Sequence, residues 1–148
     1  MDSKRKKAQV VIAIIDDTSH SFSFLLLQTN EKRGSFWQNI TGKLDGEETY
    51  EEGGLREAIE ETNLKIEHII DIVDLGLSYN FTDQRGHKVH EKCFLIILDK
   101  KFDVKIDSHE HQAFKWVDID SINADSVKFS SNLETLQKSQ NILKHWGR

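Results

Sequence analysis

The 148-residue sequence contains no proline and only one cysteine. Without proline, and without a glycine- or serine-rich run, no stretch has the composition of a linker between domains. A single cysteine cannot form an internal disulfide, and Cys93 stands in the apolar run CFLIIL, where we expect a buried strand residue. These absences exclude a disulfide-stapled secreted scaffold and predict a cytoplasmic chain with one domain over residues 1–148.

Long hydrophobic runs are also missing. No apolar stretch approaches the roughly eighteen residues that a membrane-spanning helix needs. The N-terminus has a basic start, but no small-residue cleavage site follows its short apolar run VVIAII. We therefore expect no membrane partner. A chain of this length buries about two thirds of its extended surface, which is enough for a single hydrophobic core.

Charge is unevenly distributed along the chain. The formal net charge is −5, but residues 45–61 carry eight carboxylates against the single arginine Arg56, so the rest of the chain is slightly basic. A concentrated acidic patch on such a chain is typical of a cation site that serves an anionic ligand. A uniformly acidic chain would indicate only solubility.

Hydrophobic periodicity predicts a mostly β chain with two helices. A helix is predicted over residues 49–62, and a closing amphipathic helix begins near 130, with Ser130, Ser131 or Asn132 as its N-cap. The strands predicted over 9–15 and 22–28 should form a hairpin, and residues 66–81 are predicted to form one strand or two. The strand segments are 9–15, 22–28, 35–41, 66–81, 92–98 and 113–119. This order predicts a mixed sheet covered by helices.

The helix predicted over residues 49–62 has two distinct faces. Its buried stripe, at helical spacing, is Leu55, Ala58, Ile59 and Thr62. A second face carries three carboxylates that converge in space: Glu57, Glu60 and Glu61. Like charges at this spacing cost a helix a few tenths of a kcal/mol, roughly 0.2 to 0.5 per pair, so the cluster is expected to meet a cation.

A fixed motif runs through this acidic segment. Residues 42–64, GKLDGEETYEEGGLREAIEETNL, resemble the Nudix box, G-x5-E-x7-R-E-U-x-E-E-x-G-U, in which U is apolar. The matching residues are Gly42, Glu48, Arg56, Glu57, Ala58, Glu60, Glu61 and Leu64. The one departure is Asn63 in place of glycine, and asparagine also tolerates the left-handed conformation that ends a helix. The resemblance implies an α/β fold, a Nudix-type α/β/α sandwich with a mixed central sheet.

The resemblance also implies metal-dependent hydrolysis of a diphosphate bond. By position, Glu57, Glu60 and Glu61 would bind the metal together with the carbonyl of Thr41, and Glu57 would also be a candidate general base. Arg56 would pair with Glu48 and hold the loop that follows Gly42 against the helix. Carboxylate ligands without cysteine or histidine suit Mg²⁺, with Mn²⁺ as a substitute.

A further acidic residue lies in the segment HEHQAFKWVDI. Many Nudix proteins have such a residue in a loop before a late strand with tryptophan, so Glu110 is predicted as a metal ligand or as the general base. The alternatives are a surface carboxylate and a zinc site with the flanking His109 and His111. No cysteine or third histidine stands at ligand spacing for zinc.

The sequence predicts a class of substrate rather than a single compound. FWQNITGKLDGEE and EHQAFKWVD resemble the branch that contains dihydroneopterin triphosphate and dATP pyrophosphohydrolases, which implies a nucleoside or pterin triphosphate cut to the monophosphate and pyrophosphate. The alternatives are an RNA 5′-triphosphate pyrophosphohydrolase and a nucleotide-sensing module without activity. A homodimer remains open. Candidate phosphate or base contacts are Arg33, Lys43, Tyr79, Phe81 and Lys92.

Overall fold

The computed structural model describes residues 4–16 and 21–146, and residues 17–20, most of the predicted hairpin connection, lie outside them. The strands are β1 (Arg5–Asp16), β2 (Ser21–Thr29), β3 (Trp37–Gln38), β4 (Ile40–Lys43), β5 (Ile69–Thr82), β6 (Lys88–Leu98) and β7 (His111–Asp118). The helices are α1 (Tyr50–Thr62) and α2 (Ser130–Lys144). Every predicted strand segment and both predicted helices are present.

The strands form one sheet of mixed orientation. β1 pairs antiparallel with β2 and parallel with β6, and β5 pairs antiparallel with β6. β7 lies along β2. β2 pairs with the second half of β1, whereas β4 pairs with its first half, Lys7 to Val10. This arrangement confirms the predicted α/β fold with a mixed central sheet.

Each face of the sheet is covered by a hydrophobic core and one helix. On the α1 face, Ala58 packs with Val10, Ile12 and Ile96. On the α2 face, Leu136 and other apolar residues of that helix pack with Cys93, which is fully buried as predicted. Alternation of side chains along β1 and β6 supplies both cores from the same strands. The fold is therefore a sandwich of helix, sheet and helix.

Helix α1 begins and ends through specific backbone and side-chain interactions. Thr49 and Glu52 form a reciprocal capping box, in which the Thr49 hydroxyl accepts from the Glu52 amide at 3.1 Å and Glu52 accepts from the Thr49 amide at 2.9 Å. The helix ends at Asn63, whose φ of 69° is left-handed, as predicted. Gly54 lets the helix approach the sheet, because an added Cβ would lie 3.1 Å from a methyl group of Val10, whereas Gly53 lies against Leu44, 2.9 Å from an added Cβ.

Three local predictions need correction or refinement. The single strand predicted over 35–41 is split at Asn39, where the chain stops pairing with β2 and starts pairing with β1. The α2 N-cap is Phe129, without a side-chain hydrogen bond, rather than one of the three predicted polar residues. Residues 66–68 form a 3-10 turn, and β5 follows as one strand whose register shifts between Asp74 and Ser78. None of the helices in the described part of the chain has the length and apolar character of a membrane span.

Candidate active site

Arg56 organises the segment between β4 and α1. Its Nε and Nη2 donate to the Glu48 carboxylate at 2.8 and 3.1 Å, and Nη2 also donates to the Lys43 carbonyl at 2.8 Å. Nη1 donates to Glu57 and to Glu60, both at 3.1 Å. The Arg56 hydrogen bond lowers the pKa of Glu48 below its ordinary value. The predicted pairing of Arg56 with Glu48 is thus one part of a larger network that positions two box glutamates.

Gly42 gives Glu57 its place against the sheet. A Cβ added at Gly42 would lie 2.1 Å from Cγ and 2.6 Å from Oε2 of Glu57, so no other residue fits without moving this carboxylate. Arg56 binds the opposite oxygen, Oε1. Burial raises the pKa of Glu57, although the hydrogen bond from Arg56 acts in the other direction. Glu57 therefore directs one oxygen at the backbone of β4, next to Thr41, the predicted carbonyl ligand.

Glu61 lies at the centre of a buried cluster. It is only 5% exposed, and its Oε2 has no hydrogen-bond partner in the described part of the chain. Burial, the hydrogen bond with Glu110, and the charges of Glu110 and Glu57 raise the pKa of Glu61 to about 9. A buried carboxyl next to two others is unfavourable as an anion unless a cation joins it.

Glu110 and His111 complete this cluster. Ligand atoms of Glu61, Glu110 and His111 all lie within 4.8 Å of one another. His111 is 1% exposed, its Nδ1 has no hydrogen-bond partner among the described residues, and burial lowers its pKa, which favours the neutral ring. Its Nε2 lies 3.2 Å from Nε2 of Gln38. The unpartnered Glu61 oxygen and this donor set fit a divalent cation.

The structure brings some of the predicted site residues together and leaves others apart. Glu57, Glu61 and Glu110 come together, and the charge of Arg33 acts on both Glu61 and His111, so Arg33 lies near them. Glu60 is 57% exposed at its side chain and contacts Arg56, outside the buried cluster.

The remaining candidate contacts lie on different faces of the sheet. Tyr79 is under α2, where its hydroxyl donates to Glu134 at 2.7 Å. Phe81 is 40% exposed, and two positions along β5 from Tyr79, so it projects from the same face. Lys92 lies over the ring of Tyr50, with its Nζ 5.0 Å from the centroid. The side chain of Lys43 is exposed at the end of β4.

His111 is a site residue that sequence reasoning did not select. The expected ligand set excluded histidine, and the alternative zinc site paired His111 with His109. In the structure, His111 joins the carboxylates, whereas His109 is exposed and outside the cluster. The sequence feature that could have identified His111 as a site residue is its position next to Glu110. Its burial depends on β7 pairing with β2, which brings His111 opposite Thr29.

Comparison with known proteins connects this geometry to a family. The NUDIX domain family model matches residues 5–137. The chain belongs to the Nudix family. It is a Nudix hydrolase, as the box predicts, and hydrolases of this family generally use divalent metals. The acidic cluster assembled by α1 and the loop before β7 could bind such an ion.

Individual relatives of this Nudix hydrolase differ in their names. A Bis(5'-nucleosyl)-tetraphosphatase [asymmetrical] from Rattus norvegicus is 28% identical over 134 residues, covering 90% of this chain and 87% of that protein. The E. coli dihydroneopterin triphosphate pyrophosphohydrolase structure is 25% identical, covers 93% of this chain and 97% of that one, and superposes with a TM-score of 0.73. An octanoyltransferase from Myxococcus xanthus is 28% identical over 142 residues, 94% of this chain, but the chain spans only 38% of that protein's length.

Proposed function

We propose that this protein is a Mg²⁺-dependent pyrophosphohydrolase that cuts a nucleoside or pterin triphosphate to the monophosphate and pyrophosphate. The observation that carries the proposal is the cluster of Glu57 and Glu110 around the buried Glu61, whose Oε2 has no hydrogen-bond partner among the described residues. Such a cluster is unfavourable in its fully ionised form by itself, so a cation bound to a polyphosphate would take the place of its proton and stabilise the carboxylates. The likeness to the E. coli pyrophosphohydrolase supports the same reaction class.

Each residue of the site has a distinct proposed role. Glu57, Glu61 and Glu110 would hold the metal with the Thr41 carbonyl, and Glu60 would join them from the surface. A divalent metal would supply charge neutralisation and would lower the pKa of bound water. Arg56 holds Oε1 of Glu57, which leaves Oε2, beside Gly42, to bind the metal.

The general base is assigned to a carboxylate of this cluster. Glu57 is the first candidate because burial raises its pKa toward the range in which a carboxylate accepts a proton effectively. Glu110 is the second candidate, since it comes from a different element and contacts the same cluster. Because a proton must be lost from water or carboxylate, activity should rise toward alkaline pH.

Two other substrates are alternatives with specific support. The described residues include a pocket of about 410 Å³ lined by Lys4, Lys6, Tyr50, Asn80 and His90, and its lysines favour an RNA chain that extends from a 5′ triphosphate. The likeness to the rat protein favours a dinucleoside tetraphosphate. The non-enzymatic sensing alternative is disfavoured, because every box carboxylate is present.

A substrate panel tests these alternatives. Purified protein is incubated with Mg²⁺ and, separately, with NTPs, dNTPs, dihydroneopterin triphosphate, a dinucleoside tetraphosphate, or 5′-triphosphate RNA, and pyrophosphate and orthophosphate are measured. We expect pyrophosphate release from a free triphosphate, loss of activity on chelation, and loss in Glu61→Gln. Turnover of RNA at far lower concentration than free nucleotides would select the RNA alternative. No turnover of any substrate would refute the proposed enzyme reaction.

A further inference from the structure

A buried chain of amide side chains crosses the α2 face of the sheet. The Asn39 amide donates from Nδ2 to Gln9 at 2.8 Å, and its backbone N–H donates to the side chain of Asn132 at 2.8 Å. Gln9 in turn donates from Nε2 to Glu91 at 2.8 Å. Each of these residues is at most 5% exposed. The chain therefore links α2, the split between β3 and β4, β1 and β6, and it ends on a carboxyl group.

The hydrogen-bonding capacity of Glu91 is largely unused. Within the described residues, Gln9 is the one side chain that donates a hydrogen bond to it. A carboxylate can accept about four hydrogen bonds, and leaving a buried one under-satisfied is costly. Burial raises the pKa of Glu91, with Gln9 and the charge of Lys7 acting in the opposite direction. Additional donors must come from water or from a ligand.

Glu91 belongs to a row of side chains that crosses four strands. The register pairs Lys43 with Lys7, Lys7 with Glu91, and Glu91 with Tyr79. Directly paired residues project to one face, and neighbouring strands are about 4.8 Å apart, so these side chains form a continuous strip. Phe81 projects from the same face, two positions beyond Tyr79, and is 40% exposed. The strip runs from aromatic side chains, past a carboxyl group, to two lysines.

The lysine end of the strip reaches the catalytic cluster. Lys43 is the last residue of β4, and the preceding Gly42 contacts Glu57 on the opposite face of the sheet. In the described part of the chain β4 pairs only with β1, so no strand covers its other edge. A ligand on the strip can therefore pass its phosphates over this edge to the carboxylates.

We propose that this strip is the subsite for the heterocycle and the phosphate chain, and that Glu91 selects rings presenting two adjacent N–H donors, as guanine and pterins do with a ring N–H beside a 2-amino group. The inference rests on the proposed triphosphate hydrolysis. The ring would pack against Phe81, its ring N–H and amino group would donate to Glu91, and Lys7 and Lys43 would bind the phosphates. Gln9 and Asn39 would fix the orientation of Glu91.

Other bases satisfy Glu91 less well. Adenine places an acceptor nitrogen beside its amino group, so one carboxylate oxygen would face a lone pair. Hypoxanthine keeps the ring N–H but lacks the amino group, and it isolates the contribution of the second donor. A buried hydrogen-bonding group discriminates strongly against a substrate that leaves it unpaired, by as much as about 10⁴-fold in an ideal site. The expected order is GTP, then ITP, then ATP.

The test compares kcat/KM for GTP, ITP and ATP in wild type, in Glu91→Gln and in the exposed control Glu67→Gln. We expect at least about 100-fold preference for GTP over ATP, as loss of bonds to a charged group predicts. Glu91→Gln should reduce this preference at least about tenfold, chiefly by lowering the GTP value. The control should keep the full preference.

The result that overturns the subsite is an unchanged GTP-to-ATP ratio in Glu91→Gln, or equal wild-type rates for GTP and ITP. The second comparison needs no variant, so it holds even if Glu91→Gln does not fold. If wild type hydrolyses none of the three triphosphates, calorimetric titration of GTP and ATP into the intact protein separates the two claims. Tighter GTP binding would support the subsite and refute only the hydrolysis, whereas equal binding would refute the subsite.

Discussion

At the scale of single residues, the site depends on carboxyl groups whose surroundings differ. Glu60 is exposed and bound to Arg56, while Glu61 is buried beside Glu110, and one of its oxygens has no partner in the part of the chain that the structure describes. The two residues are adjacent in sequence and have the same chemistry. Burial penalises the charged form of Glu61 and, with Glu110 beside it, raises its pKa to about 9. Glu61 should therefore determine how the metal-free protein responds to pH.

We predict that metal-free wild type loses stability as pH rises from about 5 to 9. In the unfolded chain Glu61 ionises near its ordinary value, whereas the folded protein holds the proton up to about 9. The stabilisation is therefore complete below the ordinary value and is lost as pH rises toward the folded one, at up to about 1.4 kcal/mol per unit of difference. Glu61→Gln, which stays neutral, should flatten this dependence.

Urea denaturation in chelator at pH 5 and pH 8.5 measures this effect. The control is Glu51→Gln, an exposed position on the same helix. With Mg²⁺, Glu61→Gln should also lower initial rates by orders of magnitude, because a group that acts on developing phosphoryl charge is removed. A Glu61→Gln protein that is less stable than wild type at pH 8.5, and that keeps near-normal turnover, would show that this residue serves folding.

At the scale of elements, the contact between β4 and α1 sets the position of Glu57. Gly42 leaves space for this carboxylate, and Arg56 binds it from the other side. The helix is held in register by its capping box and by close packing on β1 near Gly54. The two glycines therefore have different roles on one interface: one makes room for a reactive group, and the other permits close packing.

We predict that Gly42→Ala lowers turnover strongly, whereas Gly54→Ala does not. The new Cβ of Gly42→Ala would displace Glu57, so turnover should fall by about 10²-fold, the effect of a displacement of about 1 Å, and stability by about 1–3 kcal/mol. Gly54→Ala meets Val10 and Ala8 at 3.1 and 3.2 Å, which requires only small shifts, so turnover should stay near that of wild type. Steady-state kinetics and urea denaturation of both variants provide the measurement. Equal loss of turnover in the two variants would contradict the role assigned to Gly42.

At the scale of the whole molecule, metal binding should couple to folding. The cluster combines Glu61 of α1 with Glu110, just before β7, and His111, the first residue of β7. An ion held there would therefore connect α1 with β7. A ligand that binds only the folded state stabilises it by about 2.7 kcal/mol at a hundred times its dissociation constant. In a protein of this size, that corresponds to a melting temperature about 5–10 °C higher.

We predict that saturating Mg²⁺ or Mn²⁺ raises the melting temperature of wild type by this amount, and that Glu110→Gln loses most of the rise. Glu67→Gln, exposed in the turn before β5, should keep all of it. Differential scanning calorimetry in chelator and in metal measures both states. A full shift in Glu110→Gln would return Glu110 to the role of a surface carboxylate.

The sequence by itself determined the parts of this protein that depend on local spacing. The box residues from Gly42 to Leu64 lie within one loop and one helix, so the capped helix, its left-handed end at Asn63 and the family were all predictable. The presence of a mixed sheet covered by helices was also predictable, because hydrophobic periodicity distinguishes strands from helices. Local spacing did not distinguish Glu60 from Glu61.

Only the tertiary structure decided which side chains share an environment. His111 reaches Glu61 because β7 pairs with β2. The strand predicted over 35–41 breaks at Asn39 because its first half pairs with β2 and its second half with β1. Glu91 lies 82 residues from Gln9, and Gln9 lies 30 residues from Asn39, so these side chains meet only through the pairing of distant strands. These contacts depend on pairings between segments that are distant in sequence, and a charged group becomes buried only when those segments have packed together. The residue pattern of a single segment encodes neither.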